Sequence, residues 1–169
     1  MTRVPLSILL ASLICVLSAG PAQAQNNDDE DSRLTLARLK GVAVSVQIPA
    51  EVGSKMVVQA EVELQLRQAG VPVITTEEAM NRDGAFGAFL KVIVGVAKLP
   101  QSDTAICQLH VVVTQAVTCK ANGELALAST WAIDRTGPWP VASLPKFREK
   151  IADYLKVFIN AWYAANPKR

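Results

Sequence analysis

Alternation of apolar and polar residues at a period of two constrains this fold more than any other feature of the sequence. It is clearest from Gly41 to Ile48, where every second position is a branched aliphatic residue: Val42, Val44, Val46 and Ile48. The positions between them are small or polar. Because successive side chains of a strand point to opposite faces, this segment is predicted to be a strand with one buried face.

The next segment changes to the period of a helix. From Lys55 to Ala69, one helical face collects the apolar positions Val58, Val62, Leu66 and Ala69. Gly70 is well placed to end that helix in the left-handed conformation, and Val71–Thr75 has the composition of a short strand. This order predicts a βαβ unit, whose strands would be parallel with a right-handed crossover if they share a sheet.

Three further strand-like runs follow a capping-box pattern at Thr75–Glu78 that indicates a short helix. They cover residues 88–99, 106–118 and 125–134, and the dipeptide Asn122-Gly123 between the last two is typical of a β-hairpin. Short turns between such runs predict an antiparallel meander. A loop at Thr136–Pro140 then leads to a last helix, which ends near Ala164 and has the clearest helical periodicity in the chain.

Together these elements predict an α+β two-layer sandwich in the order β-α-β-(α)-β-β-β-α. Its mixed sheet would have about five strands, with two main helices on one face. The other face would carry polar residues that meet water or a partner: Ser45, Gln47, Lys91, Gln108, His110, Thr114 and Thr130.

The amino terminus has the layout of a secretory signal peptide. Arg3 precedes an apolar run from Val4 to Ser18, and Ala22-Gln23-Ala24 supplies the small residues of a cleavage site. The run is shorter than the roughly 20 residues of a membrane span. We expect residues 1–24 to be removed after Ala24 and the protein to be periplasmic or secreted. Residues 25–39, which contain four consecutive acids at 28–31, are expected to be flexible, and residues 40–166 to form a single α/β domain.

Composition argues against several classes of function. The chain has 17 Lys+Arg against 15 Asp+Glu, without the basic excess of a nucleic-acid-binding protein. Its single His cannot form a cluster of His ligands within one chain. The glycines form neither a P-loop nor a dinucleotide-binding pattern. We therefore expect no metal, no cofactor and no nucleic-acid partner.

Cys107 and Cys119 would be the thiols of the mature chain. On one continuous strand, twelve residues place them about 40 Å apart, whereas a disulfide needs Cα atoms within about 7 Å. They should then not pair with each other. Buried free thiols and a bond between chains stay open, as does an intrachain bridge if that strand is interrupted.

Two surfaces are candidates for binding. Trp139 lies between two prolines and is a candidate aromatic anchor, although it can equally fold back over the core. Together with residues of the polar sheet face it forms the candidate partner-contact set: Trp139, Gln108, His110 and Thr114. The last helix carries a candidate basic surface off its apolar stripe: Lys146, Arg148, Lys150 and Lys156. This surface suits an anionic membrane or an acidic partner, or is an ordinary solvated face.

The order of elements resembles the α/β domain of the TolB amino-terminal and curli-secretion (CsgG-like) group of bacterial envelope proteins. The resemblance covers about residues 40–134 and is carried by Gly41–Val46, Leu64–Gly70 and Val71–Ile74. It implies an envelope interaction or assembly role without catalysis, and it assigns no functional residue. The chain lacks the β-propeller and the long pore hairpins of those proteins.

The sequence thus predicts a non-enzymatic periplasmic domain that binds or helps to assemble another envelope protein, and that can also form a homo-oligomer because an edge strand needs cover. Two alternatives stay open. One is a small secreted hydrolase using His110 as general base, although spacing ties no nucleophile to that residue. The other is a peripheral membrane module that uses the basic last helix.

Overall fold

A mixed sheet of four strands organises the computed structural model, which describes residues 28–80 and 88–167. The strands are β1 (Val42–Gln47), β2 (Ala88–Lys98), β3 (Thr104–Thr118) and β4 (Leu125–Pro140), in the spatial order β1-β2-β3-β4. β1 and β2 are parallel, whereas β2, β3 and β4 form the predicted antiparallel meander. The fold class is α+β, as predicted.

The helices are α1 (Glu30–Leu34), α2 (Lys55–Gln68), α3 (Thr76–Met80), a 3₁₀ helix (Val141–Lys146) and α4 (Phe147–Ala165). The sequence predicts two main helices, and the described chain adds the short α1 and the 3₁₀ helix to them. α2 and α4 cover one face of the sheet and bury their apolar stripes against it. At the centre of this core, the ring of Trp131 on β4 meets Phe158 on α4 edge-on, with 5.4 Å between the ring centroids.

The prediction of about five strands is wrong for the described residues. Val71–Thr75 forms no strand, and within it only Val73 makes an isolated parallel bridge, to Val42. Pro72 has no backbone N–H to donate, although its carbonyl accepts a hydrogen bond from the Val42 N–H at 3.0 Å. β1 forms its parallel ladder with β2 instead, from Val42 opposite Ala88 to Gln47 opposite Ile93.

The predicted loop at Thr136–Pro140 is also wrong, because these residues are the last part of β4. They pair with β3 as far as Pro140 opposite Thr104. Two prolines are compatible with this strand because β4 lies at the edge of the sheet, where an outward-facing backbone position needs no N–H donor.

Gly70 ends α2 as the sequence predicts. Its φ of 78° is in the left-handed region. Its N–H donates to the carbonyl of Arg67, and the N–H of Val71 donates to the carbonyl of Leu66, both at 2.9 Å. These two hydrogen bonds satisfy carbonyls at the end of the helix in a Schellman arrangement.

The amino-terminal segment was predicted to be flexible over residues 25–39, and its described part is anchored to the sheet. Asp29 caps α1 by accepting a hydrogen bond from the Ser32 N–H at 2.7 Å. Asp28 accepts hydrogen bonds from Arg33 and from the indole of Trp131. The predicted signal peptide and residues 25–27 lie outside the described residues. Every helix in the described ranges is too short or too polar to span a bilayer.

Candidate functional site

The structure separates the four candidate partner-contact residues. Gln108 and His110 lie on the sheet face opposite α2 and α4, where Gln108 is exposed. Thr114 also belongs to β3, but only 6% of its surface is exposed, so it is not available for contact in this conformation. Trp139 lies on the helix-covered side of the sheet, opposite Ala105. These residues therefore do not form one continuous surface.

His110 lies opposite an acidic residue, and no nucleophilic side chain lies directly opposite it on either neighbouring strand. Its Nδ1 lies 4.0 Å from Oδ2 of Asp134, the residue opposite it on β4. Nδ1 is buried and has no hydrogen-bond partner in the described part of the chain. Ile93 occupies the opposite position on β2. The positions directly opposite His110 on the two neighbouring strands therefore hold no Ser, Thr or Cys.

Trp139 packs inward rather than projecting from the surface. Its ring meets Phe147 nearly at right angles, at 86° with a centroid distance of 5.1 Å. Its indole N–H donates to the carbonyl of Ser143 at 3.0 Å. Both contacts hold the half-buried ring against the start of α4, as the fold-back interpretation of this residue expects.

Acidic side chains lie among the cations of the candidate basic surface. Arg148 forms a salt bridge of 3.3 Å with Glu61 on α2 and so links the two long helices. Lys150 and Lys156 both contact Asp153, at 3.4 and 3.1 Å. Lys146 precedes α4 and is exposed. The result is a mixed surface, in which exposed pairs of this kind contribute little stability.

Sequence reasoning missed a cavity of about 360 Å³ between β4 and the beginning of α4. Its walls come from β3, β4 and α4: Cys107, Leu109, Arg135, Thr136, Gly137, Pro138, Trp139, Phe147, Lys150 and Tyr154. A signal for it exists in the sequence, since the apolar alternation of β4 is interrupted at Arg135 and Gly137 before it resumes at Trp139.

The β3–β4 ladder continues past the point where the described β2–β3 ladder begins. The β2–β3 ladder begins with Phe89 opposite Thr114, so residues 115–118 and 125–128 pair only with each other in the described structure. We call these residues the ribbon. The Asn122-Gly123 turn closes it, with Gly123 at a φ of 73°, which agrees with the predicted hairpin.

Leu125 and Leu127 are exposed on the ribbon. Their exposed fractions are 50% and 68%, high values for large apolar side chains. The N–H of Cys119 donates to the carbonyl of Glu124 at 2.8 Å. Because bonded and non-bonded pairs alternate along an antiparallel ladder, the backbone groups of Leu125, Leu127 and Ser129 point away from β3.

The outer edge of β4 is protected elsewhere. Pro138 and Pro140 remove backbone donors near its carboxyl end, and the Thr35 hydroxyl donates to the carbonyl of Thr130 at 3.2 Å. No strand in the described ranges pairs with this edge. The segment Leu125–Ser129 therefore contains no charge and combines apolar side chains with outward backbone groups that pair with no other described strand.

Cys107 and Cys119 are both free thiols in the described part of the chain. Cys107 lies within β3, while Cys119 follows the end of that strand. Burial raises the pKa of the Cys107 thiol, which keeps it protonated and weakly nucleophilic at neutral pH. Among residues 28–80 and 88–167, no group of three or more His, Cys, Asp or Glu side chains could hold a metal ion.

The described residues thus define an α+β domain with helices on one sheet face, a cavity beside its edge strand and the ribbon at the turn of its β3–β4 hairpin. No protein-family model matches the sequence, and no functionally curated protein matches it. The chain is similar in structure to a PelC variant dodecamer from Paraburkholderia phytofirmans, with 16% identity, a TM-score of 0.39, and coverage of 74% of this chain and 88% of that one.

Two further solved structures are similar over most of the chain. One is a minor lipoprotein from Acinetobacter baumannii, with 12% identity, a TM-score of 0.29, and coverage of 76% of this chain and 87% of that one. The other is described as a lipoprotein from Caulobacter crescentus, with 11% identity, a TM-score of 0.30, and coverage of 82% and 98%. No residue role is transferred from these proteins, and the resemblance to the TolB amino-terminal and CsgG-like group stays a prediction.

Proposed function

We propose that this protein is a non-enzymatic binding or assembly domain of the bacterial envelope, and that it acts by contact with another envelope protein. The envelope location rests on the signal-peptide pattern of residues 1–24. The observation that carries the binding function is the uncharged edge segment Leu125–Ser129, which begins on the ribbon. It offers a partner both backbone hydrogen bonds and an apolar surface.

An extended segment of a partner polypeptide is the occupant that suits this edge. Adding a strand to an exposed sheet edge satisfies outward N–H and C=O groups in the way that an internal ladder does. Leu125 and Leu127 lie two residues apart and therefore project to the same side of the ribbon. An apolar side chain at every second position of the partner would cover them. Folded proteins usually prevent strand addition at their sheet edges with charged residues or proline. Because the segment Leu125–Ser129 has neither, it is a favoured place for a partner strand to bind.

A matched pair of variants tests this proposal. Leu127→Lys places a charge in the edge segment, and Leu64→Lys makes the same change on the exposed side of α2, where Leu64 is 55% exposed. The protein and both variants would be used to capture partners from a bacterial envelope extract after mild cross-linking. We expect Leu127→Lys to lose a partner that the wild type and Leu64→Lys both retain.

Two results would overturn the proposal. The first is an unchanged set of partners with Leu127→Lys. The second is self-association alone: light scattering that shows an oligomer of the purified wild type, abolished by Leu127→Lys, would make a second copy of this chain the occupant. Trp139→Ala, measured in the same capture, would report whether the inward-packed Trp139 contributes to the contact.

A further inference from the structure

The apolar side chains with which β4 faces the helices are interrupted towards the carboxyl end of the strand. Trp131 and Ile133 are buried there, but the next two positions of the same stripe are Arg135 and Gly137. A Cβ atom added at Gly137 would meet no other atom within 4 Å. A position that would ordinarily hold a core side chain is therefore open, and the cavity of about 360 Å³ lies beside it.

The inner wall of this cavity is apolar and belongs to the buried core. Leu109 and Phe147 are 2% and 5% exposed, and both belong to the core of the domain. Phe147 also positions Trp139 through the edge-on ring contact, and the Trp139 N–H is already used by Ser143. The surface that remains is preformed and suits a hydrocarbon or aromatic group.

Among the described residues, the charged side chains that line the cavity are both cations, Arg135 and Lys150, and none is a carboxylate. Lys150 shares Asp153 with Lys156 at the exposed surface of α4, an arrangement that exchanges readily with solvent. Arg135 forms no salt bridge within the described ranges. Two cations above an apolar wall are complementary to a molecule with one anionic end and one apolar end.

We propose that this cavity binds a small amphipathic anion, such as a medium-chain carboxylate. Arg135 and Lys150 would hold the carboxylate, and the hydrocarbon would lie against Leu109, Phe147 and Trp139. The volume is within the roughly 300–1,000 Å³ range of small-molecule sites, which suits a free amphiphile rather than a large lipid. This site is independent of the ribbon, so either proposal can fail without the other.

Octanoate and 1-octanol are matched probes, since they share a chain and differ in charge. Each would be titrated into the protein by calorimetry and followed by the indole N–H resonance of Trp139 in NMR spectra. We expect octanoate to saturate one site and shift that resonance. Octanol should bind about tenfold more weakly, because it forms no charge-assisted hydrogen bond with the two cations.

Four variants connect the binding to the cavity. Arg135→Gln and Lys150→Gln should each weaken octanoate binding about tenfold and leave octanol unchanged. Gly137→Val should reduce binding of both probes, because its side chain occupies the open space. Lys156→Gln is the control, since Lys156 contacts the same Asp153 but lies outside the cavity. Thermal unfolding would verify that each variant is folded.

Absence of saturable octanoate binding to the wild type would overturn the proposal. So would equal binding of octanol, or equal loss with Lys156→Gln and Lys150→Gln. A free amphiphile and a membrane lipid both present such an anion, and phosphatidylglycerol vesicles distinguish them. We expect no co-sedimentation of the protein with these vesicles that depends on Arg135. Vesicle binding that Arg135→Gln abolishes, without binding of free octanoate, would assign these cations to a membrane surface and contradict the proposal.

Discussion

The indole N–H of Trp131 donates a hydrogen bond of 2.9 Å to the carboxylate of Asp28, which lies 103 residues earlier in the chain. Arg33 binds the same carboxylate with its Nε and terminal nitrogens at 2.8 and 2.7 Å. This contact attaches the segment before α1 to the edge strand β4. It also makes part of the stability of the domain dependent on the charge of one carboxyl group.

Asp28→Asn should lower the free energy of unfolding by about 1.5–3 kcal/mol at pH 7, because it removes charge-assisted hydrogen bonds. Burial alone would raise the pKa of Asp28, but the hydrogen bonds from Arg33 and Trp131 and the charge of Arg33 outweigh it and lower the pKa below 3.8. The contribution is therefore fully present above pH 3.8 and is lost as the pH falls through the lower folded-state value.

Urea unfolding at several pH values measures this effect. Asp31→Asn is the control, since Asp31 is exposed on α1, just after Asp28. Its substitution should cost only a few tenths of a kcal/mol, about the effect of one charge near a helix terminus. A difference between wild type and Asp28→Asn that stays constant down to pH 2 would contradict the assigned role of the carboxylate.

Gly70→Ala should destabilise the domain by roughly 1–2 kcal/mol, the cost of a left-handed conformation for a residue with a Cβ. The added Cβ would also approach the hydroxyl of Tyr163 to 3.0 Å. Gly137→Ala is the matched control, because its Cβ enters open space and glycine weakens a strand. The two variants would be compared by urea unfolding, and equal stabilities would disprove the conformational explanation.

Trp139→Ala should lower the free energy of unfolding by roughly 1.5–3 kcal/mol, because the ring buries apolar surface against Phe147. Trp139→Phe should recover part of this loss, since it restores a ring but not the hydrogen bond to Ser143. Calorimetric unfolding provides the measurement. A fully stable Trp139→Ala variant would show that the ring is not part of the packed structure and would favour the exposed-anchor interpretation.

Cys119 should react with iodoacetamide in the native protein, and Cys107 only after unfolding. Cys107 is 3% exposed and its pKa is raised by burial, so little reactive thiolate is present at neutral pH. Mass spectrometry of the protein expressed from Gln25 should show one adduct under native conditions and two in denaturant. A Cys119→Ser variant that still gains a native adduct at the same rate would contradict this assignment.

Much of the fold could be predicted because its signals are local. The alternation at Gly41–Ile48 and the glycine at position 70 both report the conformation of their own backbone. Whether Val71–Thr75 joins the sheet as a strand could not be predicted in this way. Its composition is typical of a strand, but β1 pairs with Ala88–Lys98 instead, and that competition involves residues more than 40 positions away.

The candidate site was harder to predict than the fold. Judged from the neighbouring residues alone, Pro138 and Pro140 indicate a loop. Only the position of β4 at the edge of the sheet makes them compatible with a strand. The same applies to Trp139, whose flanking prolines suggested projection although its contact with Phe147 turns it inward. Arg135 and Lys150 are separated in sequence by a strand end and a helix start, so nothing local indicates that they line one cavity.

The sequence by itself determined the strand β1, the two long helices, the end of α2 and the turn of the β3–β4 hairpin. Each depends on the geometry and side-chain preferences of a few adjacent residues. Only the tertiary structure decided which strand pairs with β1, which part of β4 stays open and which side chains surround the cavity. Those outcomes depend on distant segments that compete for the same hydrogen bonds and the same apolar surface.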